Sequence, residues 1–303
     1  MKPLTKAYTI GRLRHHAVPL LGKRRVTEIE EGDIRSFAND VSNGKTARDE
    51  WITEPDKQIR RRVIVRGGAG AARKVVRDLS AVYSFLKTHK RKTGVTHNPV
   101  EDAPVRKTDN KRDRRLSVEE VRRLGAALEA LETEGVNPKA INICRGWVLT
   151  GCRRNEIAGI KKDGDIDLVR GLIMLNDTKS GRSVRPIGAA AVSLFAALLA
   201  NVDPRESSPY LFPAERGDGF YSGTKRVWSE IIKRAELPGV TPHTLRHTLG
   251  GFGGSRGESL LMIGAVLGHA NARSTAIYAH VDHDPARLAA NRITDPIAQA
   301  LFG

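Results

Sequence analysis

The chain has 303 residues, enough for two ordinary domains with separate cores. Its 51 Lys and Arg against 34 Asp and Glu leave a formal net charge of +17, which suits a polyanionic partner, most simply the DNA backbone, and predicts salt-dependent binding. Cys144 and Cys152 are the only cysteines, which argues against a disulfide scaffold or a cysteine-based zinc site, and no apolar run is long enough to span a bilayer. With no signal peptide and no basic amphipathic helix for a lipid surface, a cytoplasmic, nucleoid-associated protein is expected.

In chain order, Leu4 to Leu21 reads as a helix ending near Pro19 and Gly22. Ile34, Phe37, Ala38 and Val41, spaced i, i+3, i+4, i+7, mark a second helix that starts near Asp33. A third runs between Gly70 and His89, with Ala72, Val75, Val76, Leu79, Val82, Tyr83 and Leu86 on one face and Arg73, Lys74 and Arg77 on the rest. Between Lys45 and Gly68 lies a charge-rich stretch containing Arg60, Arg61 and Arg62, read either as a loop that tracks phosphates or as a solvated insertion. Asn98-Pro99 closes this all-helical unit, because proline disfavours helix in the preceding residue. The expected division is a helical domain over 1–100, a basic linker over 101–115 (EDAPVRKTDNKRDRR) and a second domain over 116–303. Such a linker would let two DNA-binding lobes close round a duplex.

The second domain opens on a capping-box pattern, Ser117 with Glu120, flanked by Leu116 and Val121 as a hydrophobic staple. A helix over Ala140 to Leu149 is broken by Thr150-Gly151, which presents Arg153 at the start of the next. Short apolar runs at Ile166 to Val169, Leu172 to Leu175 and Ser183 to Ile187 are punctuated by glycine and read as strands, the last following the turn Lys179-Ser180-Gly181. Ala189 to Ala200 reads as a helix packed inside, Tyr210 to Pro213 as a short buried bridge, and Thr224 to Ala235 as a helix with Val227, Trp228, Ile231 and Ile232 inward. After HTLRHT (His243 to Thr248) come Gly250, Gly251, Gly253, Gly254 and Gly257. At roughly 1 kcal/mol each against alanine, these predict a helix that is short or packed unusually closely. Asp284-Pro285 and Asp295-Pro296 each read as an N-cap followed by proline at N1, giving two small terminal helices.

The chemistry concentrates between His243 and Tyr278. His243 and Arg246 are three apart and share one helix face; His269 follows a Leu-Gly turn, and Tyr278 sits nine residues later. A phenol can attack phosphorus, an imidazole can take its proton, and cationic donors can hold the charge that grows on phosphoryl oxygens. His243 and His247 at i, i+4 would also suit a metal, but Arg246 stands between them and no nearby carboxylate completes a ligand set, so no metal is expected.

Joined to LTGCRRNEI (Leu149 to Ile157) and DTKSGRSVRPI (Asp177 to Ile187), this stretch resembles the tyrosine recombinases of the phage-integrase family. The family pattern is an Arg in a TGxRxxE turn, a Lys on a β-hairpin, HxxR, a His or Trp after LG, and then the Tyr. The matching positions are Arg153, Glu156, Lys179, His243, Arg246, His269 and Tyr278, in order. The resemblance implies a mainly α fold with a small antiparallel β-sheet, in which a helical core-binding domain precedes an α+β catalytic domain. The three strands would form that sheet, with Lys179 at a hairpin tip. It implies a site-specific recombinase that cuts and rejoins DNA through a 3′-phosphotyrosyl link without metal, ATP or other cofactor, integrating or excising a mobile element or phage. Tyr278 would be the nucleophile, and Arg153 and Arg246 would clamp the phosphate. Lys179 would act as general acid, His243 as proton acceptor, and His269 as a hydrogen-bond donor to a phosphoryl oxygen, with Glu156 bracing Arg153. Arg60, Arg61, Arg62, Arg73, Lys74 and Arg77 are candidate DNA contacts. The implied partners are double-stranded DNA, three further copies of the chain in a tetramer on two DNA sites, and an accessory directionality factor, with no membrane. The chain starts almost at the first core-binding helix, so the additional arm-binding domain of many phage integrases is not expected in it. A type IB topoisomerase-like relaxing enzyme and a non-catalytic DNA-binding regulator are the alternatives.

Overall fold

The computed structural model describes residues 3–54, 59–103, 114–178 and 181–268. Among these residues the fold is mainly α-helical with two small antiparallel sheets, and the chain divides into two compact units, 1–110 and 111–303. No helix among the described residues is long and apolar enough to cross a membrane.

In the first unit, α1 (Pro3–Arg12) runs through a π-helical turn at Leu13–Ala17 into α2 (Val18–Leu21). The wider turn buries His16 and Ala17, with His16 Nδ1 2.6 Å from Thr46 Oγ1. Helix α3 (Glu31–Ser42) begins where Glu30 N donates to Asp33 Oδ2 at 3.0 Å, and it buries Ile34, Phe37 and Val41. That apolar face meets α4 (Ala69–Thr88), whose Ala72, Val75, Val76, Leu79 and Tyr83 complete the core. Arg12 Nε is 2.6 Å from Asp78 Oδ2 and ties α1 to α4. After α5 (Lys90–Thr93), the Asn98 side chain accepts from Val100 N at 3.1 Å and donates to Ser80, Ser84 and Glu101. It thereby caps α6 (Pro99–Asp102) and pins it against α4.

One departure from expectation is that this unit is not all-helical. The stretch between Lys45 and Gly68 is neither a loop nor a shapeless insertion: β1 (Arg48–Glu54) and β2 (Ile59–Val65) form an antiparallel ribbon with Arg48 opposite Val65 and Glu54 opposite Ile59. The cause is a period-2 pattern masked by charge. Val63 and Val65 are buried, whereas Trp51, Arg62 and Ile64 lie on the opposite, exposed face. There the Arg60 guanidinium stacks over the Trp51 ring at 5.4 Å, and Arg62 is bidentate to Asp49.

In the second unit, Ser117 and Glu120 form the expected capping box at the head of α7 (Val118–Thr133), with Leu116 buried and Val121 half-buried in the same core. Helix α8 (Pro138–Thr150) is the centre of that core, burying Ile141, Ile143, Cys144 and Trp147. Trp147 meets Trp228 edge to face at 5.7 Å. Trp228 lies on α11 (Thr224–Arg234), which buries Ile231 beside it. The short helix α9 (Arg154–Ala158) leads to the sheet β3 (Ile166–Asp167), β4 (Leu172–Thr178) and β5 (Gly181–Pro186), antiparallel in that order as expected. Helix α10 (Ala189–Ala200) buries Ala191 and Phe195 only, so it covers the core from outside and is not packed within it as its composition suggested. Leu211 and Phe212 form the buried bridge, paired through Tyr210 to Lys161 and through Pro213 to Phe220.

Helices α12 (Pro242–Ser255) and α13 (Leu260–Leu267) close the described part. The glycine-rich helix is not short, since it runs 14 residues. Its glycines serve close packing instead: a β-carbon at Gly251 would lie 2.7 Å from Arg115 Cδ, and one at Gly253 would lie 3.0 Å from Ile263 Cγ1. Leu116 N also donates to Thr248 Oγ1 at 2.9 Å, fixing the entry of this unit against α12.

Candidate active site

The site is built on the end of α8. Gly151 takes a left-handed conformation, φ 61° and ψ 14°, and its N–H donates to Trp147 O to close the helix. Thr150 Oγ1 donates to Gly146 O at 2.6 Å and accepts from Cys152 N at 3.2 Å, so the turn is held from both sides. Arg153 then stands at the N-cap of α9. Its own N–H donates to Glu156 Oε2 at 2.6 Å, and its guanidinium Nη1 donates to Glu156 Oε1 at 2.7 Å. Glu156 thus fixes Arg153 at backbone and side chain together, while the Arg153 side chain remains 42% exposed and open to a ligand.

Helix α12 reaches the same place from the other side. Thr241 and Thr244 cap it reciprocally and Pro242 occupies its first turn, so His243 and Arg246 project from a well-defined start. Arg246, only 3% exposed, donates through Nη1 to Gly151 O at 2.9 Å. The carbonyl of the first arginine's turn therefore orients the second arginine. His243 lies at the surface beside them. Burial of part of its ring, the Arg246 charge and the Arg153 charge, in that order, hold its pKa below the ordinary histidine value, which favours the neutral, proton-accepting form near pH 7. Its ring meets His247 edge to face at 4.5 Å. Glu156, desolvated by burial but held by Arg185 and Arg153, has its pKa lowered and stays a carboxylate.

Four of the expected site residues, Arg153, Glu156, His243 and Arg246, are thus brought together from two segments about 90 residues apart along the chain. Lys179, His269 and Tyr278 lie outside the described residues, as do the two stretches after Asp284 expected to form terminal helices. The strands flanking Lys179 pair as far as Thr178 opposite Gly181. Of the candidate DNA contacts, Arg60 and Arg62 are on the exposed face of the ribbon, and Arg61 lies between them on β2. Lys74 and Arg77 are exposed on α4, with Arg73 half-buried and its Nε on Ala69 O at 3.3 Å.

One residue at the site was missed. Arg185 on β5 is fully buried and donates through Nη2 to Glu156 Oε1 at 2.9 Å. The signal was present in the register: Arg185 stands opposite Ile173, a core residue, so strand alternation alone turns it inward.

Residues 114–284 match the Phage integrase family. The chain belongs to that family. Among characterised relatives it is 28% identical over 218 residues, 70% of each chain, to the tyrosine recombinase XerC of Herpetosiphon aurantiacus. It is 25% identical over 259 residues, 83% of this chain and 86% of the other, to the tyrosine recombinase XerD of Listeria monocytogenes serotype 4b. Tyrosine recombinases are enzymes that cleave and rejoin DNA. In fold it is similar to the Tn1549 transposon integrase in complex with a circular intermediate DNA, with a TM-score of 0.67, 18% identity and coverage of 97% of this chain and 94% of that one. It is likewise similar to a lambda integrase dimer bound to a COC′ core site, with a TM-score of 0.62, 16% identity and coverage of 92% and 89%.

Proposed function

We propose that this chain is a site-specific recombinase that integrates or excises a mobile element or phage by metal- and ATP-independent transesterification. The observation that carries the reading is the convergence of Arg153, Arg246 and a neutral-leaning His243 at one turn, in a chain whose sequence continues the motif to Tyr278. Tyr278 Oη attacks the scissile phosphorus and passes its proton to His243. The P–O5′ bond breaks as the 3′-phosphotyrosyl bond forms, and Lys179 gives a proton to the departing 5′ oxygen. Arg153 and Arg246 clamp the non-bridging oxygens with planar forks that lysine would not reproduce, and His269 adds a hydrogen bond to one of them. One phosphodiester is exchanged for another ester of similar energy, so rejoining needs no outside energy source.

Synapsis of four copies on two DNA sites, with a directionality factor choosing between integration and excision, completes the proposal. The first unit and the second both contact duplex DNA, joined through the basic linker over 101–115. A nicked suicide duplex cut from the DNA flanking the coding sequence tests the chemistry. Wild-type protein should be trapped as a covalent adduct on a denaturing gel, and Tyr278→Phe should bind the duplex but give none. Covalent product persisting in Tyr278→Phe would overturn the assignment of the nucleophile.

A further inference from the structure

Arginine is almost never fully buried unless it is paired, because losing hydration around a guanidinium is costly. Arg185 is 0% exposed, and its partners come from different segments of the second unit. Nη2 reaches Glu156 Oε1 at 2.9 Å, Nη1 lies 3.4 Å from Cys152 Sγ, and Nε lies 3.5 Å from Ser183 Oγ. The same carboxylate oxygen, Glu156 Oε1, accepts from Arg153 Nη1 at 2.7 Å. One anion therefore sits between a buried cation and a half-exposed one, and the buried cation limits where the anion can go. A third segment closes over Arg185. Gly268, the left-handed cap of α13 at φ 62°, comes so near that a β-carbon there would lie 3.0 Å from Arg185 Cζ and 2.9 Å from Ser183 Oγ. Gly268 is the residue immediately before His269, and β5 is the outgoing strand of the hairpin that holds Lys179.

We propose that Arg185 is a positioning residue: through Glu156 it sets the place of the Arg153 guanidinium, and it locks the β5 strand and the Gly268 cap to the same turn. It touches neither DNA nor the reacting atoms. The proposal rests on the function proposed above for the Arg153 guanidinium, but its geometric content does not depend on that function. Two cations held by one carboxylate move together, whereas Glu156 freed from Arg185 gains rotamer freedom and takes Arg153 with it.

The test is a nuclear magnetic resonance titration of the His243 ring in the DNA-free full-length protein, since Arg153 is one of the charges that depress it. Arg153→Ala should shift the His243 titration upward. Arg185→Met, which keeps an apolar stem and removes the guanidinium, should shift it the same way. In the Arg153→Ala background, adding Arg185→Met should then do nothing further. No shift in Arg185→Met, or a shift that persists in the double variant, overturns the proposal, because Arg185 would then act on the ring directly or not at all. If a thermal melt shows that Arg185→Met does not fold, Arg185→Gln, polar and uncharged but too short to hold Glu156, replaces it with the same two outcomes. In the suicide-duplex assay Arg185→Met should lower single-turnover cleavage by on the order of 10²-fold with duplex affinity unchanged, the scale expected of a catalytic group misplaced by about 1 Å. Failure of the catalytic reading itself shows up separately, in the Tyr278→Phe adduct.

Discussion

At Gly151 the backbone needs a positive φ and a bare Cα at once. The φ is 61°, and a β-carbon would sit 3.0 Å from Leu267 Cδ2 and 3.7 Å from the Cα of Arg246. Gly151→Ala should therefore cost about 1–2 kcal/mol from the left-handed backbone alone, with further loss as α12 is pushed away, read as a lowered urea midpoint. An unchanged midpoint would mean that α12 has slack at this contact. The neighbouring His243 carries a pH consequence. Its depressed pKa means that the folded protein binds fewer protons than the unfolded chain as pH falls below the ordinary value of 6.5, so this group's contribution to stability is complete above that pH and is lost below it. The same shift keeps the base neutral into mild acid. The acid limb of kcat/KM for cleavage, which reports the free enzyme, should lie below pH 6.5, and a limb of that profile at or above that value would remove His243 as the proton acceptor.

At the scale of elements, what was legible in the sequence was what local chemistry specifies. The Ser117–Glu120 capping box, the Thr150-Gly151 stop and the three glycine-punctuated strands form where their residues said they would. The β1–β2 ribbon was not legible, because consecutive arginines at 60, 61 and 62 hid the alternation that Val63 and Val65 complete. Its open face, with the Trp51 ring under Arg60 and with Arg62 beside it, suits a nucleic acid backbone. Replacing Arg60 and Arg62 together by Gln should weaken duplex binding about equally on all sequences and reduce the slope of log affinity against log salt by about 1–2. An unaltered slope would take the ribbon off the DNA. For α12 the glycines left two readings open, a short helix or unusually close packing, and the close approach to Arg115 and Ile263 is the one that holds.

For the molecule as a whole, the charge of +17 indicated a DNA partner and the ordered motif indicated the family early, because both are matters of composition and sequence order. The coupling of Arg185, Glu156 and Arg153 was hidden, since it joins a strand to a turn 29 residues away. The tail gives a test at this scale. Leu288, Ile293, Ile297 and Leu301 are apolar residues in two proline-started stretches beyond the proposed nucleophile. If they dock on a neighbouring copy, deleting Asp284 to Gly303 should leave the thermal melt and half-site binding intact and abolish cooperative occupancy of a full site. A sharp fall in melting temperature together with weakened half-site binding would return them to the protein's own core.

The three tryptophans divide the molecule optically. Trp51 is 59% exposed on the ribbon of the first unit, while Trp147 and Trp228, at 1% and 7%, face each other in the core of the second. Intrinsic fluorescence should therefore contain a red, quencher-accessible part from Trp51 and a blue, shielded part from the buried pair. With Trp51→Phe as a subtraction, one emission spectrum would follow the ribbon meeting a duplex and the second unit unfolding as two separate signals, with no dye attached to the chain.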